Sequence, residues 1–307
     1  MSRSYIYYIY LNLILFLIFI IIMLINVAFF TLLERKILGL SQSRKGPNKV
    51  GYAGLIQPLS DAVKLFLKKN LVIGVSNSYL FFISPLILFF RRIMMWRLVP
   101  VYCGLVRVQF SIIFILVFLR IRVYGLFFAG WRSNRKYAFL GRLRAIAQTI
   151  SYEISLSFLL ISFFLVKLCL SLSVYRNFTN VNSIFLMSPV IFIWGVCCLR
   201  ESNRTPFDFS EGERELVSGF NVEYGRGLFA LIFIAEYSSI ILLSALSAAL
   251  LMVFSSLLVL TIGLIFWWVW CRSTLPRFRY DLLMYLNWKS YLPIRTFMFA
   301  FYRLILF

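Results

Sequence analysis

Residues 227–271 read GLFALIFIAEYSSIILLSALSAALLMVFSSLLVLTIGLIFWWVWC, a run of forty-five residues interrupted by a single charge, Glu236. The hydrocarbon core of a bilayer takes about 20 residues of helix. The run is therefore too long for one crossing and suffices for two, joined by a tight turn near residues 254–256. Working outward, similar runs recur along the 307 residues, 62% of which are hydrophobic and 14% charged, with a mean hydropathy of +0.88. That composition excludes an ordinary soluble domain. It predicts an all-α polytopic membrane protein with about eight crossings, at residues 5–33, 71–95, 98–129, 143–168, 180–200, 225–253, 256–271 and 289–307. The first run starts like a signal peptide, with Arg3 ahead of it, but it is too long and lacks a small-residue cleavage pattern, so it reads as a retained span. No internal repeat stands out, which argues against an inverted-repeat transporter.

The charge follows the same plan. Lys and Arg number 32 against 11 Asp and Glu, for a formal charge of +21. Of the basic residues, 21 fall in and at the edges of the four loops after the odd-numbered spans, taken as residues 34–70, 130–144, 200–226 and 272–289, and 4 on the other side, Arg3, Arg97, Arg176 and Arg303. By the positive-inside rule those four loops face inward and both termini outward. A nucleic acid binder would gather its basic residues on one soluble face, and here they are spread over four loops. No histidine is present, and Cys103, Cys169, Cys197, Cys198 and Cys271 form no C-x-x-C pair, so the sequence offers no metal site, iron–sulfur cluster or His-based triad.

Two inward loops carry chemistry. The first, residues 34–69, reads ERKILGLSQSRKGPNKVGYAGLIQPLSDAVKLFLKK. Over residues 52–69 it is amphipathic: Leu55, Leu59, Val63 and Phe66 share one face, Gln57, Asp61, Lys64 and Lys68 the other, as in a helix lying on the membrane surface. Asp61 and Lys64 are spaced to pair. Ahead of the helix, Arg44, Lys45, Gly46, Pro47 and Asn48 form a basic turn suited to lipid headgroups or to the entrance for an amphiphile. The loop after the fifth span, residues 201–227, reads ESNRTPFDFSEGERELVSGFNVEYGRG and holds Glu201, Asp208, Glu211, Glu213, Glu215 and Glu223, six of the eleven acids. Glu153 and Glu236, both flanked by apolar sequence, bring the total near or inside the bilayer to eight. Burial and mutual repulsion bring such carboxylates toward titration near neutral pH, where they relay protons. A solvated loop paired internally through Arg204 and Arg214 is the competing reading.

The segments ERKILG, RKGPNKVG, QPLSDAVKLF, LRAIAQTISYE, SNRTPFDFSEGE, ELVSGFNVEY, AEY and TLPRFRYDLLMYLNWKSYLP, in order over residues 28–295, resemble the subunit 1 family of NADH:ubiquinone oxidoreductases, the mitochondrial form of respiratory complex I. The resemblance implies a subunit of an H+-translocating enzyme that holds no complete active site alone. It sits in the mitochondrial inner membrane with its odd-numbered loops on the matrix side, among peripheral-arm and antiporter-like partner subunits and membrane lipids. Its substrate is ubiquinone, and FMN and iron–sulfur clusters belong to the partners. It implies further that Arg35, Arg44, Lys45, Asp61, Lys64, Arg144, Gln148 and Phe220 line or support the quinone passage. Glu153, Glu201, Asp208, Glu211, Glu213, Glu215, Glu223 and Glu236 would form the proton-coupling group. A membrane subunit of a hydrogenase-type complex is the nearest alternative.

The sequence departs from that family in one direction. Arg stands where the family has Ser or another small residue in WRSNRKYAFLGRLRA, EGERE and EYGRG, and Arg91, Arg92, Arg120 and Arg122 lie inside spans that offer no acid. Each costs at least about 2.5–3.5 kcal/mol at a helix centre. Invertebrate mitochondria read AGA and AGG as serine. The expectation is therefore that some of ten arginines, Arg91, Arg92, Arg97, Arg120, Arg122, Arg132, Arg135, Arg142, Arg214 and Arg226, are serine in the natural protein, all ten together lowering the charge from +21 to +11; the alternative is a divergent subunit whose arginines snorkel or pair with neighbours.

Overall fold

The computed structural model describes residues 2–69, 78–99, 109–132, 136–177, 185–208, 224–251 and 256–306. Among these residues the chain is helical with no strand, an all-α polytopic membrane protein. The helices are α1 (Ser2–Ser41), α2 (Gln57–Leu67), α3 (Ser78–Trp96), α4 (Ser111–Arg132), α5 (Lys136–Lys167) and α6 (Leu172–Asn177). They continue with α7 (Ser188–Glu201), α8 (Arg226–Leu251), α9 (Leu257–Thr274), α10 (Tyr280–Tyr285) and α11 (Leu292–Leu306). A π-helical turn, Leu286–Tyr291, joins α10 to α11 without a break. Six of these, α1, α3, α4, α5, α8 and α9, are long and apolar enough to cross a membrane.

The opening stretch of 45 residues divides into α8 and α9, and most of the turn expected between them lies outside the described residues. The two helices differ in surroundings. α8 is the central helix of the bundle, with Ser238, Ser239, Ser244, Ser247, Ala245, Ala248 and Ala249 all buried. In lipid, helices gain little from burying apolar surface against each other, so close backbone approach through small residues takes over. The serine hydroxyls of 238, 244 and 247 donate to the carbonyls three residues back, which leaves no polar group unmet. α8 packs on α3, α9 and α1, and α4 bridges α3 and α5. The α3–α4 contact is tight at Gly125, where a Cβ would stand 2.8 Å from Leu88 Cδ2.

α2 leaves the bundle on its apolar side. Leu59, Val63 and Phe66 are 58–62% exposed, as a helix does when its partner on that face is lipid. Its polar side turns inward to α1. Before α2 the chain doubles back on α1: Gly46 approaches so closely that a Cβ would be 3.0 Å from Lys36 Cα, and Lys36 Nζ donates to the Ala53 carbonyl at 2.7 Å.

Candidate functional site

The site is built where α7 ends. Glu201, the last residue of α7, is 2% exposed, and its carboxylate meets the guanidinium of Arg122 from α4. Arg92 of α3 and Arg200 stand at 3.8 Å from it on either side. Arg122 Nη1 also donates to the Glu201 backbone carbonyl at 2.7 Å, so one guanidinium holds both the side chain and the C-terminal end of the helix. A cation at a helix C-terminus also answers the macrodipole. The expectation that the arginines in the spans have no acid to pair with is therefore corrected for Arg92 and Arg122. They point into the bundle and meet a carboxylate that the sequence places in a distant loop. Arg91 instead donates to the Phe118 carbonyl at 3.2 Å.

Glu236 of α8 faces the same interior. It is 3.7 Å from Arg204, and with Arg91, Arg92 and Arg122 it lines a cavity of about 20 Å³ between α3, α4 and α8, room for about one water. Arg204 lies over the rings of Tyr237 and Phe233 at 4.7 and 5.5 Å, held as much by the aromatic faces as by the acid. Glu153, midway along α5, has a buried Oε1 that makes no hydrogen bond among the described residues. Arg200 covers the neighbouring Tyr152 ring at 4.8 Å. Three carboxylates from α5, α7 and α8 thus share one buried region with several guanidiniums. Counter-charges beside Glu201 and Glu236 are what let these carboxylates stay charged in a low-dielectric interior.

Residues 202–208 are gripped from outside by the last turn of α9 and the segment after it. Arg277 donates to the Asp208 carbonyl, the Phe278 amide to Pro206 at 3.2 Å, and Arg272 Nε to Thr205 Oγ1 at 3.0 Å. Phe207 and Phe278 stack with centroids 5.6 Å apart, and Gln148 of α5, 1% exposed, donates to the Phe207 carbonyl at 3.4 Å. Arg272 also pairs with Glu34 toward the C-terminal end of α1. Glu34 was absent from the expected set, as were Arg272, Arg277 and Phe278, although Glu34, Arg277 and Phe278 lie in the quoted segments ERKILG and TLPRFRYD and Arg272 stands two residues before the second. Where the loop rejoins α8, Tyr224 stacks on Phe81 at 4.3 Å and its hydroxyl lies 2.8 Å from Ser84 Oγ.

At the α1–α2 junction, Arg35 pairs with Asp61 at 2.7 Å and Gln57 Nε2 donates to the other Asp61 oxygen at 3.0 Å. The expected Asp61–Lys64 pair is thus corrected: Asp61 turns toward α1. Lys64 lines an open groove along α2 with Ile56, Leu59, Val63, Leu67 and Lys68. Arg44 and Lys45 are exposed in the turn ahead of the helix, and Arg144 lies on an exposed stretch of α5 whose charge is felt by Tyr280. Glu211, Glu213, Glu215, Phe220 and Glu223 lie outside the described residues.

A helical membrane bundle that gathers three carboxylates with guanidiniums in its interior, beneath an amphipathic surface helix, defines a membrane subunit built to handle charge. The sequence matches the NADH dehydrogenase family over residues 14–303, and the chain belongs to that family. It is 50% identical over 276 residues to NADH-ubiquinone oxidoreductase chain 1 of Anopheles gambiae, covering 88% of each chain. It is 46% identical over 285 residues to the same chain of Paracentrotus lividus, again covering 88% of each. The relative from Locusta migratoria is 45% identical over 284 residues, covering 91% of this chain and 90% of its own.

Proposed function

We propose that this chain is the core membrane subunit of a proton-pumping NADH:ubiquinone oxidoreductase, framing the quinone entrance and coupling quinone reduction to proton movement through buried carboxylates. The observation that carries the reading is the meeting of Glu201, Glu236 and Glu153 with Arg92, Arg122, Arg200 and Arg204 in one enclosed region of a chain 45–50% identical to NADH-ubiquinone oxidoreductase chain 1 proteins. The amphipathic α2 lies on the inner leaflet, with Lys64 toward lipid phosphates. Arg35, Asp61, Arg44 and Lys45 border the opening, Arg144, Gln148 and Phe220 support the inner passage, and Asp208, Glu211, Glu213, Glu215 and Glu223 continue the coupling group.

Reduction of one quinone takes two electrons and two protons and yields the quinol. The electrons arrive from iron–sulfur clusters, and before them FMN, held by partner subunits on the matrix side of the mitochondrial inner membrane. Negative charge developing on the quinone shifts the proton equilibrium of the nearest carboxylates, and buried acids in contact pass that shift along because their titrations are linked. The arginines act as fixed counter-charges and set how much added charge a carboxylate tolerates before taking a proton.

Replacing Glu153 or Glu213 by Gln in the intact complex lowers coupled quinone reduction. Loss of one positioned proton-transfer group costs on the order of 100-fold at the step it serves. NADH oxidation by an artificial acceptor that bypasses the quinone stays unchanged. Wild-type coupled turnover in both variants would remove this reading.

A further inference from the structure

We propose that Asn287, in the π-helical turn Leu286–Tyr291, is the positioning residue that fixes the Glu153 segment of α5 and, through Tyr152, the Arg200–Glu201 pair. This rests on the reading of Glu153 as a coupling group and adds to it a structural element that nothing so far has used.

Asn287 is fully buried. Its Nδ2 donates to the Ser151 carbonyl at 2.7 Å, two residues ahead of Glu153. Its Oδ1 accepts from Arg295 Nη1 at 3.4 Å, and Arg295 Nη2 reaches Cys197 Sγ at 3.2 Å. A cation on one face of the amide and a carbonyl on the other fix its orientation, since only the oxygen can face a guanidinium and only the NH2 can face a carbonyl. Two neighbouring contacts run the same way. Tyr152 Oη donates to the Leu283 carbonyl at 3.2 Å, and Ser151 Oγ approaches Met284 Sδ at 3.5 Å. Tyr152 in turn presents its ring to Arg200 at 4.8 Å, and Arg200 stands 3.8 Å from the Glu201 carboxylate.

α10 and the turn together therefore hold residues 151 and 152 at three points, Leu283 and Met284 from α10 and Asn287 from the turn, and both coupling carboxylates lie one step beyond. The wide π-turn explains how it does so. A regular α-helix from 280 to 306 would rotate Asn287 by the angle of the extra residue, whereas the π-turn inserts that residue and lets Asn287 face α5 while Arg295, in the first turns of α11, still faces Cys197. Single π-turns inside α-helices recur where side chains must be aimed. Glu153 itself faces Arg91, Arg122, Arg200 and Glu201 from three other helices, so a shift of its backbone changes several charge separations together.

The test compares three variants in the assembled complex. Leu keeps the branched outline of Asn287 with a bulkier end and no donor, Asp keeps its shape without the amide donor, and Ser keeps a donor but leaves space. A packing role ranks Ser below Leu. A positioning role ranks Ser above both Leu and Asp. We expect kcat for coupled quinone reduction to fall on the order of tenfold in Asn287→Leu with KM for quinone unchanged, and to be largely retained in Asn287→Ser. Should Asn287→Leu fail to assemble, the order of Asp and Ser decides. Leu or Asp performing as well as Ser overturns the proposal. Glu153→Gln is measured in parallel: if it impairs turnover while the Asn287 order fails, the clamp alone is wrong, and if it has no effect, the reading beneath the clamp has failed.

Discussion

Glu201 carries the heaviest electrostatic load of any acid among the described residues, with three guanidiniums around one carboxylate at 2% exposure. Removing one partner from such a cluster is costly because the others stay buried without compensation. Glu201→Gln is expected to destabilise the subunit by roughly 3–5 kcal/mol, seen as reduced complex abundance and a lower unfolding temperature in detergent. Asp61→Asn breaks a pair whose acid is 35% and whose arginine 53% exposed, and costs under about 1 kcal/mol; its effect is instead a raised KM for long-tailed quinones. Equal losses of abundance in the two variants would contradict the burial argument. The acids were legible in the sequence because a carboxylate in an apolar run has few reasons to be there. Their partners were not. Whether Arg92 and Arg122 point to lipid or to the interior depends on helix rotation, and Glu34 finds Arg272 across 238 residues of chain.

Among the elements, α2 was readable in outline, since its two faces differ in polarity at helical spacing. The turn that aims it was readable only in part. Gly54 has φ of +77°, and a Cβ there would stand 2.2 Å from the Pro47 carbonyl oxygen, so this position admits no side chain without opening the turn. Gly54→Ala is expected to cost about 1–3 kcal/mol locally, with faster trypsin cleavage after Lys45 and Lys49 and a higher KM for quinone. Unchanged digestion would show that the turn is not held as described. The π-turn at Leu286–Tyr291 left no trace in the sequence, because one extra residue per turn is invisible against 3.6-residue periodicity when apolar residues occupy every face. α7 was similarly hard to read: its 14 helical residues end inside the bundle at a charged residue rather than at a polar boundary.

For the whole molecule, the excess of positive charge has two parts. The part in the loops is the part that the positive-inside rule reads as orientation. The part inside the bundle does not balance: Arg91, Arg92, Arg122, Arg142 and Arg200 are all buried, each 4% exposed or less, against the few carboxylates of the cluster. Serine at 91, 92, 122 and 142 would leave Arg200 with Glu201, Arg204 with Glu236 and Arg272 with Glu34, and Glu153 as a further acid within reach of the Arg200 charge. Serine decoding of the ten arginines predicts an intact mass of the purified subunit below that of the written sequence by ten times the Arg–Ser residue difference. A mass matching the written sequence would leave every guanidinium in place. The clamp on residues 151 and 152 is the same in either case, because neither Arg200, Tyr152 nor Asn287 is among the ten, whereas serine at 91 and 122 would remove two of the guanidiniums whose charge reaches Glu153. The central claim is that buried carboxylates link quinone reduction to proton movement, and it is tested most directly by protons translocated per NADH oxidised in proteoliposomes holding the complex with Glu153→Gln. The account predicts a coupled rate depressed on the order of 100-fold with NADH oxidation by a quinone-independent acceptor intact; wild-type rate and wild-type stoichiometry in that variant, and in Glu213→Gln, would contradict it.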